Sequence, residues 1–195
     1  MRAARAAGLV HVALTCGVLA ACGPADAPAD APPPVEAAAP VDPGLLEVRG
    51  YVLTEPALDR YFAASHRIVA AMAALPPGEL DRVAAVLNPD EPAADAADAS
   101  LDEFAARLAG DAVIRQALEA AGVAPREYAV LTLALLEAGM AQQWIDARPA
   151  SDADSLARGL GLDPRNVAFM RAHAAEIQRR QAALEAELPE ALHEE

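Results

Sequence analysis

The 195-residue chain contains no lysine, two cysteines and few aromatics: one Trp, three Tyr and three Phe. Each scarcity excludes something. Without a basic stripe interleaved with aromatics, and with a formal charge of −14, the surface is wrong for nucleic acid or anionic headgroups. Cys16 and Cys22 alone cannot build a cysteine zinc site, a thioredoxin motif or a covalent haem attachment. No Gly-x-Ser-x-Gly elbow, Walker loop, dinucleotide glycine pattern or His-Glu-x-x-His zinc helix occurs. No catalytic residue, cofactor or metal is therefore expected. All basic residues being arginine, with abundant alanine, suits a GC-rich genome and carries no functional weight.

What is present begins with an export signal. Arg2 and Arg5 form a positive n-region, and an apolar run from Ala6 to Ala21 follows. That run is shorter than the roughly 20 residues of a membrane-spanning helix. Leu19-Ala20-Ala21-Cys22 resembles the lipobox of bacterial lipoprotein precursors. The resemblance implies cleavage before Cys22, diacylglycerol on its sulfur and a further acyl chain, palmitate-like, on its amino group. Gly23, where Asp would favour the inner membrane, implies an outer-membrane, periplasm-facing location. Cys16, preceded by Ala13-Leu14-Thr15, falls within the discarded signal. Loss of the two positive charges of Arg2 and Arg5 takes −14 to −16 in the mature protein.

Residues 1–21 are thus read as signal, and 22–47 as the acylated cysteine with a disordered Ala/Pro/Asp tether. Such composition cannot bury a face. Extended, it would reach roughly 70 Å. Residues 48–188 are expected to form an all-α bundle of about five to seven helices, and 189–195 an acidic tail.

Within the domain, only Glu47–Val52 hints at a strand. Thr54 caps a first helix, with Leu53 stapling onto Leu58. A second helix spans 79–87, before an Asp/Pro loop to residue 99. Ser100-Leu101-Asp102-Glu103 reads as a capping box, Asp111 opens a fourth helix and Gly122 ends it. Pro125 opens a fifth, apolar on every side, which implies a central place in the bundle. After a short turn within 151–161, Asp163-Pro164 opens a last helix. Its Val167, Met170, Ala174, Ile177, Gln181, Leu184 and Leu188 form a heptad seam that packs on the domain or joins a second copy.

Glu137, a carboxylate inside the apolar helix, is the most informative residue. It must be paired with an arginine, exposed, or serve a ligand. Tyr128 is a candidate lining residue of a pocket near it. His66, and His173 with Glu176, are expected at solvated margins. The preferred function is a non-enzymatic, outer-membrane-anchored interaction module with an envelope protein partner. The alternative is a carrier of a small apolar or lipid ligand, and an enzyme with a carboxylate/His site comes last.

Overall fold

A computed structural model describes residues 42–88, 100–148, 152–189 and 192, and all its regular structure is helical. Leu19, Ala20, Ala21, Cys22, the tether to residue 41, the loop 89–99 and most of the acidic tail lie outside the described residues. The elements are α1 (Pro43–Gly50), α2 (Glu55–Met72), α3 (Pro77–Leu87), α4 (Leu101–Gly110), α5 (Ala112–Ala121), α6 (Pro125–Asp146), α7 (Ala153–Gly159) and α8 (Pro164–Glu187). None is long and apolar enough to cross a membrane.

Local signals set most boundaries. The Thr54 hydroxyl accepts from the Ala57 amide, and Ser100 with Glu103 completes the expected capping box. Asp111 accepts from the Val113 and Ile114 amides at 2.9 and 3.0 Å, opening α5. Gly122 ends that helix at φ 69°, a left-handed conformation that costs glycine nothing. Asp163 caps α8 by accepting from the Arg165 amide. α3 starts two residues before the expected 79, because Pro77 already suits its first turn.

The N-terminal boundary differs from expectation. Residues 43–47, assigned to the tether by composition, belong to α1. Asp42 accepts from the Gly44 amide at 2.8 Å and Pro43 occupies the first turn. Gly44 is buried against α4, where a β-carbon would stand 2.9 Å from that of Leu101. The stretch 47–52, which alone hinted at a strand, is the end of α1 and an extended link. After the helix, the extended link at Tyr51–Leu53 finds its backbone partners in a side chain: Leu53 N–H donates to Asn166 Oδ1 and Asn166 Nδ2 donates to the Tyr51 carbonyl.

α6 is the centre of the domain, touching α1, α2, α4, α5, α7 and α8. Its first half is covered all round, with Tyr128, Ala129, Val130 and Leu131 buried. The main core joins Tyr128, Ala129 and Val130 to Phe62, Ile68 and Met72 of α2, Phe104 and Leu108 of α4, and Ile114 and Leu118 of α5. A smaller cluster of Ala141, Ile145, Ala157 and Val167 fixes α7 and the start of α8 to the end of α6. On α8 the seam residues Val167, Met170 and Ile177 are buried against this same bundle, while Gln181 is exposed.

Candidate functional site

Glu137 projects from the second half of α6. Burial pushes its carboxyl above the ordinary carboxylate range, and the positive charge of Arg49, on α1, only partly opposes this. The two side chains make no direct hydrogen bond. Glu137 Oε2 and Arg49 Nε are each buried without a hydrogen-bond partner. Arg49 also lies against the α7–α8 turn, where a β-carbon on Gly161 (φ 75°) would come within 3.1 Å of its guanidinium. Three elements therefore meet at this pair: α1 supplies Arg49, α6 Glu137, and the turn its backbone.

The apolar surroundings of the pair are exposed. Met140 and Trp144 follow Glu137 at i+3 and i+7, so they share its stripe of α6. Met140 is 50% and Trp144 39% exposed. Leu160, beside Gly161, is 38% exposed, and Leu46, one turn before Arg49, is 58% exposed. These are the exposed large apolar side chains among the described residues. The Arg148 guanidinium lies 3.7 Å over the Trp144 ring. Bordering carboxylates are engaged elsewhere, Glu47 with Arg126 at 2.6 Å and Asp146 with Arg171 at 2.5 Å.

Tyr128 stands apart from this site. Residues 128 and 137 lie about 180° apart around α6 and roughly 14 Å apart along it. Tyr128 instead faces α2, its hydroxyl 3.1 Å from Ser65 Oγ and its ring stacked 5.4 Å from that of Tyr61. Burial pushes the Tyr128 hydroxyl well above its usual range, with the neighbouring Tyr61 adding to the effect. It is a satisfied core residue.

Of the two histidines expected at solvated margins, His66 stands at one, 38% exposed, while His173 is more deeply set. His173 is only 18% exposed: it stacks on Phe169 and stands 3.8 Å from Glu55 and 3.7 Å from Glu176. His66 contacts Glu187 at 2.9 Å, and Arg180 joins Asp59 to Glu176. Polar contacts thus tie α8 to α2, around a cleft of about 140 Å³ lined by Glu55, Asp59, Glu176 and Arg180. A second depression, open and about 500 Å³, runs between α2 and α5 over Ala70, Ala71, Ala74 and Ala117. Among the described residues no three His, Cys, Asp or Glu side chains gather to hold a metal.

No protein-family model, curated protein or solved structure matches this chain.

Glu137 is legible in the sequence, whereas Arg49 and the exposed apolar side chains are not. A helix apolar on every side gives no sign of which face its neighbours leave open.

Proposed function

We propose that the chain is an outer-membrane-anchored, periplasm-facing lipoprotein whose helical domain is a non-enzymatic interaction module, acting by contact with envelope components, protein partners among them. The anchor rests on Leu19-Ala20-Ala21-Cys22. The module rests on one observation: Met140, Trp144 and Leu160 stay exposed beside a charged pair with unmet hydrogen-bonding capacity, a surface suited to contact. The carrier reading loses its expected lining residue, since Tyr128 is engaged in the core.

Cys22→Ser should move the protein out of the membrane fraction and abolish labelling by a palmitate analogue, whereas Cys16→Ser should change neither. Continued labelling of the Cys22→Ser protein would overturn the anchor. A photo-crosslinker at position 140 in living cells should give adducts with envelope components. Absence of any adduct would remove this face as the module's contact surface.

A further inference from the structure

The chain that leads from Cys22 joins the domain close to one of its exposed apolar side chains. The segment between Cys22 and residue 42 joins the fold at α1, and α1 itself carries Leu46 and Arg49. Arg49 rests on the turn that presents Leu160 and faces the α6 stripe that presents Met140 and Trp144. The anchored chain therefore enters one turn from Leu46, while Met140 and Trp144 lie in the second half of α6.

We propose that this face docks on the zwitterionic surface of the bilayer that holds Cys22, a step that rests on the lipoprotein reading above and names the first partner of the same site. Trp, Met and Leu side chains beside arginines are the combination that settles at a membrane–water interface, rings and chains inward and guanidinium groups at headgroup level. Arg148 over Trp144 and Arg49 beside Glu137 supply that arrangement. The strongly acidic remainder of the domain disfavours anionic headgroups, which restricts the docking surface to zwitterionic lipid. The border acids Glu47 and Asp146 are paired with Arg126 and Arg171, so they oppose such docking less than free carboxylates would. Burial already disfavours the charge of Glu137, which lowers the cost of bringing it to an interface.

Four apolar side chains are a small contact for a protein diffusing freely. Tethered, the domain meets its own membrane at an effective concentration on the order of millimolar, so a weak contact is populated. Docking would fix the domain's orientation relative to the bilayer.

Trp144 is the chain's single tryptophan and reports directly on its own surroundings. The test uses the full acylated protein reconstituted on phosphatidylcholine/phosphatidylethanolamine vesicles, with plain or brominated acyl chains. The expected result is a shift of Trp144 emission to shorter wavelength and its loss on brominated vesicles. Met140→Asp and Leu160→Asp, both at exposed positions, should restore the emission while the protein still floats with the vesicles. Flotation with emission untouched by brominated lipid and open to aqueous iodide would overturn docking. Failure to float would overturn the lipoprotein reading, and docking with it.

Discussion

Asn166, at the start of α8, serves the backbone on either side of Val52 as a neighbouring strand would: it accepts from the Leu53 amide at 2.9 Å and donates to the Tyr51 carbonyl at 2.7 Å. One buried side chain thus holds the link between α1 and α2 to the far end of the sequence. Asn166→Ala would leave two backbone groups without their partner in a buried setting. The expected loss is about 2–3 kcal/mol of stability, with faster hydrogen exchange at the Leu53 amide. Unchanged exchange at that amide would show that the bond contributes nothing.

Asp111 performs two tasks at once. It caps α5 through the Val113 and Ile114 amides, and it holds Arg82 of α3. Burial alone would push its carboxyl up, but the hydrogen bonds from Ile114, Arg82 and Val113 together bring it below the ordinary range. A depressed carboxylate stabilises the fold above its unfolded value and loses that contribution as pH falls through the folded one. Asp111→Ala should therefore cost about 2 kcal/mol near neutrality, and the gap to wild type should narrow in acid. Urea unfolding of both proteins at pH 7 and pH 3 measures this, and a gap that widens in acid would refute it.

Tyr128 allows a test at the opposite end of the pH scale. Its raised hydroxyl stays neutral in the fold after an unfolded tyrosine would have ionised near pH 10. The associated stability is complete below that pH and lost as pH rises further. Phenolate absorbance of Tyr128 should thus appear only with unfolding, and Tyr128→Phe should shrink that step to the part left by Tyr61, whose hydroxyl burial also raises. The same substitution should cost about 1 kcal/mol, since Ser65 retains its bond to the Tyr61 carbonyl. Reversible ionisation of Tyr128 in the folded protein would contradict the buried setting.

The parts of this fold that were legible are those specified locally. Thr54, the Ser100–Glu103 box, Asp111, Gly122, Pro125 and Asp163 with Pro164 each set a helix end by chemistry within a few residues. α1 escaped because Asp42-Pro43-Gly44 has the composition of the tether before it, while what holds it is distant in sequence: Leu101 beneath Gly44, and Asn166 just beyond its end. Glu137 was legible as a charge within an apolar helix, but Arg49 lies too far away in sequence for any spacing rule. Helix geometry alone puts Tyr128 and Glu137 on opposite sides of α6.

Glu137 and Arg49 support a prediction that separates a stabilising ion pair from a charge the fold merely tolerates. Burial outweighs Arg49 in setting the Glu137 carboxyl, so the group is raised overall. A raised carboxyl contributes its full stability below the unfolded value, near pH 4.3, and loses it as pH climbs through the folded one. Near neutrality its charge is therefore a small net cost, reduced by partial exposure. Glu137→Gln should hold or slightly raise stability at pH 7, within about 0.5 kcal/mol, with the difference vanishing near pH 4. Arg49→Met removes the opposing charge, raises the carboxyl further and should destabilise more at pH 7 than at pH 4. In the double variant that pH dependence should disappear, since no carboxyl remains to respond. Unfolding curves of the four proteins at both pH values form the cycle. If Glu137→Gln instead lost about 3 kcal/mol at pH 7, as breaking a buried ion pair does, the pair would be a structural salt bridge and its unmet hydrogen bonds would carry no meaning for the site.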